Sequence, residues 1–265
     1  MIIRYRSVSF LSVLLVCIFV VSVPLVSADD SMPVRETIRI GIFSLAPFMM
    51  STEAGDAGGA SVDFWREYLV PVMNADIVVS GPYPIPRLEM MLEKGEIDVI
   101  PYITKIPDRE TRFLYPSRPL TNISSCIVVR RDSSLDTITA QEDLFGMKIG
   151  YITSAYIPPF VLHEQIELEL VTTTEFREIN HRKLMNGRVD ALLDINFLSL
   201  IYEMNSKGYS KDIRIIPLDE DRVAIYSLFG QTYRGRKLRA LYDEIMGTVP
   251  PDAFDRITSR YFAAE

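Results

Sequence analysis

Gly95-Glu96-Ile97-Asp98-Val99-Ile100-Pro101-Tyr102-Ile103-Thr104-Lys105-Ile106-Pro107-Asp108-Arg109 reads as the end of a helix, a buried strand and the loop that leaves it. Gly95 suits the left-handed residue that closes a helix, and the apolar run after Asp98 is too short to be another one. Leu88, Met91 and Leu92 share a helical face just upstream. Much of this unit occurs twice. Leu92-Glu93-Lys94-Gly95-Glu96-Ile97-Asp98-Val99-Ile100 is echoed by Leu184-Met185-Asn186-Gly187-Arg188-Val189-Asp190-Ala191-Leu192. Ahead of each copy stands a second matched pair, Arg39-Ile40-Gly41-Ile42-Phe43-Ser44 and Lys148-Ile149-Gly150-Tyr151-Ile152-Thr153. Both are basic, then apolar around a glycine, and end in a hydroxyl residue, as a short buried strand running into a loop does.

Strands alternating with helices twice over predict two α/β lobes with mostly parallel sheets. The second lobe is the shorter, because its two echoes lie closer together. Val62, Trp65 and Leu69 give another helical face after the glycine-rich stretch Gly55 to Gly59, with Trp65 read as core. Phe176, Ile179 and Leu184 approximate one face before Gly187. Further on come two strands, Ile213 to Ile216 and Val223 to Phe229, and two amphipathic helices. Leu238, Leu241 and Ile245 mark the first helix; Phe254, Ile257 and Tyr261 mark the second, with Pro251 suited to its first turn. These last helices lack strand partners of their own and are expected to pack back on the first lobe. The chain then crosses between lobes twice, which makes a hinge with a cleft where strand ends converge.

The 265 residues are 48% hydrophobic and 24% charged, which excludes a disordered or collagen-like chain. A net charge of −7 argues against a general nucleic-acid binder, and two Cys with two His exclude a disulfide scaffold or zinc cluster. Arg4 and Arg6 precede an uncharged apolar run from Val8 to Val26, followed by Ser27-Ala28 and then Asp29-Asp30. This reads as a signal peptide over residues 1–28; the rival reading is a retained signal anchor. Removal of residues 1–28 leaves 237 residues with a charge of −9 and Cys126 as the one cysteine. Cys126 sits in an apolar run and reads as a structural thiol.

The chain at this point resembles the family 3 extracellular solute-binding proteins, the periplasmic receptors of amino-acid-type ABC importers. The resemblance runs from about Ile38 to Met246. Gly95 to Asp98 resembles the family's G-x-I-D strand entry, and Thr104 to Arg109 its T-x-x-P-E-R loop. Tyr115-Pro116-Ser117-Arg118-Pro119-Leu120 stands in place of F-S-x-P-Y. Ala46-Pro47-Phe48, Val62-Asp63-Phe64 and Asp143-Leu144-Phe145-Gly146-Met147-Lys148 match three further signatures in the right order. The resemblance implies a two-lobed periplasmic-binding-protein clamshell of type II. Lobe 1 would comprise residues 29–119 and 223–265, and lobe 2 residues 120–222 with the hinge segments. It also implies a monomer with no cofactor and no bound metal, exported to the periplasm. Its partners would be a small-molecule ligand and either an ABC permease or a membrane sensor.

By the same resemblance Arg109 matches the arginine that forks onto a ligand carboxylate, Thr104 helps hold that group, and Tyr102 sits where the strand end meets the cleft. The planar guanidinium suits a carboxylate, so a carboxylate-bearing solute is expected. The alternative is that Arg109 ties its own loop through Asp108 or Glu110. Phe48 and Leu45 fall at the family's aromatic platform, with Leu45 where an aromatic residue is usual. Arg87 either faces the cleft or pairs with Glu89 on a solvated helix. In lobe 2, Thr153, Ser154 and Tyr156 occupy the binding loop without the family's glycines. The family's ammonium-binding Asp falls on Ile195, which leaves Asp194 or Asn196 to reach the cleft if the strand has ended there. An ordinary α-amino acid fits this pattern poorly. The same fold hosts cyclohexadienyl dehydratases; as an enzyme, the chain would have to recruit Asp194, Glu164, His163 or His181 for acid–base work.

Overall fold

The structure is a computed structural model describing residues 35–51 and 55–263. The expected signal segment at 1–28 lies outside the described residues, and no described helix is long and apolar enough to cross a membrane. Strands in chain order are β1 (Glu36–Gly41), β2 (Met50–Ser51), β3 (Ala57–Gly58), β4 (Ala75–Ser80), β5 (Val99–Thr104) and β6 (Phe113–Leu114). They continue as β7 (Thr121–Arg130), β8 (Lys148–Ile152), β9 (Glu167–Val171), β10 (Ala191–Asp194) and β11 (Ile213–Gly230). The large sheet runs β4-β1-β5-β11-β7-β10-β8-β9, with β6 on β11, while β2 and β3 form a separate pair. Its flanks, β4-β1-β5 and β10-β8-β9, are parallel, whereas β5-β11, β11-β7 and β7-β10 are antiparallel.

The long strand β11 joins the two flanks. Ile213 to Pro217 pair with Arg130 to Cys126, and the register then slips before Arg222 to Ile225 pair with Ser124 to Thr121. From Ile225 onward the same strand pairs with β5. The expected lobe borders, 119/120 and 222/223, thus fall in or beside this one pair of antiparallel strands.

Each flank is pinned by the same device, and the two copies are the repeated residues of the sequence. Asp98 accepts the amide of Arg39 on Oδ2 at 2.8 Å, and Asp190 accepts the amide of Lys148 on Oδ2 at 2.8 Å. Their own amides return to the carbonyls of Arg39 and Lys148, each at 2.8 Å. A carboxylate accepting a main-chain N–H at the sheet's end satisfies a donor that would otherwise be left over. The preceding glycines close the helices, Gly95 at φ 67° and Gly187 at φ 65°, a region open to glycine at little cost. Gly41 and Gly150 let a helix approach the strand. A Cβ on Gly41 would lie 2.5 Å from Ile97 Cδ1 and 2.7 Å from Leu88 Cδ2; on Gly150 it would lie 2.9 Å from Leu192 Cδ2 and 3.2 Å from Asn180 Oδ1 on the helix Phe176–Met185. Gly41→Ala is therefore expected to cost about 1–3 kcal/mol by overpacking. Urea unfolding checks this, and an unchanged midpoint would contradict it.

Trp65 is fully buried, its ring 5.6 Å from Tyr242 and 6.2 Å from Phe229. The C-terminal helix Ala253–Ala263 packs against the segment that carries Trp65. Tyr261 donates to Asp63 at 2.6 Å, Arg260 pairs with Glu67, and Phe254 stacks near Phe48, Phe64 and Tyr102. The helix Tyr233–Met246 is tied to the other side of that flank through Arg234, which pairs with Glu36 and Asp98. Cys126 lies in a second apolar cluster with Val128, Leu184, Val189 and Leu200, and burial pushes its thiol well up.

Candidate functional site

The C-terminal ends of β1, β5, β8 and β10 converge on a cavity of about 50 Å³ to which both flanks contribute. This is where ligands bind in open α/β sheets. From the first flank come Phe43, Leu45, Ile85, Tyr102, Ile103 and Thr104. From the second come Tyr151, Ile152, Ala155, Phe176 and Arg177, and the run Leu193 to Asn196. Ile123 and Ile225, on the paired hinge strands, form part of its wall.

Five of the residues expected at the site from sequence line this cavity: Leu45, Tyr102, Thr104, Asp194 and Asn196. Strand β10 stops at Asp194, so Asn196 turns inward and caps the helix Phe197–Lys207, its Oδ1 accepting the Ser199 amide at 3.0 Å. Phe48 stands behind the wall, fully buried and stacked on Tyr102 at 4.6 Å. Arg87 stands apart from the cavity, exposed, with its guanidinium over the Tyr83 ring at 4.4 Å. Its sequence-level partner Glu89 is engaged by Arg109 and Arg112. Thr153 Oγ1 accepts from Thr172 at 2.8 Å, and the Tyr156 carbonyl accepts from Tyr151 Oη at 2.6 Å.

Arg109 lies beside the cavity without lining it, and it is completely buried. Its Nε donates to Glu89 Oε1 at 2.8 Å and its Nη1 to the Thr104 carbonyl and hydroxyl at 3.0 and 3.3 Å. Its Nη2 donates across the cleft to the carbonyl of Ser154, a residue held at φ 59°. Asp108 and Glu110, the local partners weighed from sequence, pair with Arg112 and Lys105 instead. Helical geometry explains the choice. Glu89 adjoins Leu88 on the buried side of the helix Ile85–Glu93, and a carboxylate kept from water there needs a cation.

Sequence reasoning missed Arg177 and Ser199. Arg177 holds Asp194 through two contacts, Nε to Oδ2 at 2.8 Å and Nη2 to Oδ1 at 3.1 Å. Its Nη1 donates to Ser199 Oγ at 2.6 Å and lies 3.5 Å from Glu203. Ser199 Oγ donates in turn to the carbonyl of Ala46 on the opposite side of the cleft. Asn196 Nδ2 completes a second bridge, to Tyr102 Oη at 2.9 Å. Burial alone would lower the Arg177 pKa, but the charges of Asp194 and Glu203 outweigh it and raise the pKa above the usual arginine value. Burial likewise drives the Tyr102 phenol up, so both stay protonated. A signal for Arg177 was present: it opens the helix Phe176–Met185, where the helix dipole disfavours a cation unless a carboxylate compensates.

No family model and no curated protein matches this chain. Solved structures do. The BvgS periplasmic VFT2 domain of Bordetella pertussis aligns over 85% of this chain and 93% of its own, with a TM-score of 0.71 and 19% identity. The P235GK mutant of ArgBP from T. maritima aligns over 86% and 95%, with a TM-score of 0.70 and 17% identity. An ancestral arginine-binding protein bound to arginine covers 86% and 99%, with a TM-score of 0.69 and 20% identity. The fold is that of the two-lobed periplasmic binding proteins, as the sequence resemblance implied. Two of these three structural neighbours carry the names of arginine-binding proteins.

Proposed function

We propose that this chain is an exported clamshell receptor that captures a small solute between its lobes and presents the closed form to a membrane partner, a permease or a sensor. The observation that carries this reading is the cavity itself: both flanks wall it, parallel strand ends point at it, and the paired strands β7 and β11 adjoin it as a hinge. Closure supplies the polar contacts already seen across the cleft, Asn196 to Tyr102 and Ser199 to Ala46. The fold of arginine-binding proteins supports solute capture as the task. Genes for a permease and ATPase beside this one would favour transport; a neighbouring sensor gene would favour signalling.

The test is a thermal-shift screen of the purified protein against amino acids, dicarboxylates, aromatic acids and small neutral organics. A solute present at 100 times its dissociation constant adds about 2.7 kcal/mol to folding. For a chain of this size that raises Tm by roughly 5–10 °C. The shift should shrink when Tyr102→Phe and Asn196→Ala are combined. Silence across the panel, or shifts indifferent to these substitutions, would overturn the assignment of the cleft.

A further inference from the structure

We infer that the cleft selects an uncharged, apolar solute, because the groups expected to recognise charge are already neutralised by the protein's own side chains. The inference rests on the clamshell reading above and specifies what that clamshell takes. A receptor for a zwitterion needs a cation free for the carboxylate and an anion free for the ammonium. Here the cation matched to that task, Arg109, is enclosed by Glu89, Thr104 and the Ser154 carbonyl, and it does not reach the cavity wall. The anion, Asp194, has both oxygens on Arg177 and also accepts the Asn196 amide at 2.8 Å. Arg177, the one arginine in the wall, directs its Nη1 at Ser199 and Glu203. The other polar wall residues are matched as well: Tyr102 with Asn196, and Thr104 with Arg109.

The rest of the wall is aliphatic or aromatic, Leu45, Ile103, Ile152 and Leu193 together with Phe43 and Phe176 among it. A charged solute entering this space would lose its water and find no free counter-charge, whereas an apolar one forfeits nothing. The cavity, about 50 Å³, is smaller than the roughly 150 Å³ engineered cavity that holds benzene. The group it admits without parting the lobes is therefore a short branched hydrocarbon end.

Four probes share one carbon skeleton and differ in charge: isobutanol, isobutyrate, isobutylamine and L-valine. Ligand-observed NMR on the purified protein is expected to show isobutanol binding at least tenfold tighter than each of the other three. Ala155→Leu, which fills the cavity from its wall, should abolish that binding. Asp194→Asn alone uncovers the Arg177 guanidinium and should raise isobutyrate affinity at least tenfold. Tighter binding of any charged probe by the unmodified protein would overturn the inferred ligand class and leave the clamshell function standing. Failure of isobutanol to bind also overturns that class. Silence in the broader solute screen as well would bring down the clamshell function itself.

Discussion

Glu89→Ala is expected to destabilise the protein by about 3–5 kcal/mol, because it strands a fully buried guanidinium. Arg109 is 0% exposed and the Glu89 side chain 6%, with Nε and Oε1 2.8 Å apart. Removing one partner of such a pair leaves the other desolvated and uncompensated, which costs more than the pair contributes when intact. The loss should lower Tm by about 10 °C in thermal unfolding. Glu89→Leu combined with Arg109→Leu should recover most of it, since the charges then leave together. Asp76→Ala is the contrasting control. Its pairing with Arg35 leaves both side chains more than half exposed, and such a pair contributes between about 0 and 1 kcal/mol. Equal losses at positions 89 and 76 would contradict the assignment of Glu89 as the buried counter-ion.

The second large effect is expected at Asp98, and it depends on pH. Burial pushes its carboxyl up, but hydrogen bonds from the Arg39 side chain and amide, with the charges of Arg234 and Arg39, more than reverse this. Its folded pKa therefore lies below the ordinary value of 3.8. A carboxyl whose pKa is lowered by folding contributes its full stabilisation above the unfolded value and loses it as pH falls through the folded one. The contribution should be constant from neutrality down to about pH 5 and shrink below about pH 4. Asp98→Asn keeps the shape but removes the charge. It is expected to cost about 2–4 kcal/mol at pH 7 and noticeably less at pH 3, which lies below the unfolded value, where the contribution of the native carboxylate is being lost. Urea unfolding at both pH values checks this, and a cost independent of pH would contradict the account.

The duplicated unit was the legible part of this sequence, because both copies do the same physical work. Asp98 and Asp190 each hook a main-chain amide of the strand beside them, and Gly41 and Gly150 each make room for a helix. Such requirements are local and chemically strict, so they survive as a visible pattern. The end of β10 was legible only as a condition, that Asp194 or Asn196 reaches the cleft if the strand ends there; β10 does end at Asp194, and both residues line the cavity. The pairing of charges was not legible. Arg109 stood out in its loop, but Glu89 lies twenty residues upstream on a separate helix, and only the fold brings the two together. Arg177 was hidden for a related reason. It sits between Phe176 and Glu178 in a segment whose apolar spacing draws attention to Phe176 and Ile179, and its partner Asp194 lies on a different element. Leu45 was visible as an aliphatic residue at an aromatic position, and the apolar cavity gives that departure a physical meaning.

In the proposed clamshell, two lobes move about β7 and β11 when a solute enters. Spin labels at Val72→Cys and Leu162→Cys, both on exposed side chains of opposite flanks, report that motion by pulsed electron resonance. Cys126 is buried and its thiol pushed well up, so it should resist labelling. The predicted result is a distance distribution with a long component in the free protein that collapses to a single shorter distance with the solute giving the largest thermal shift. One unchanged distribution under both conditions would contradict a solute-driven clamshell.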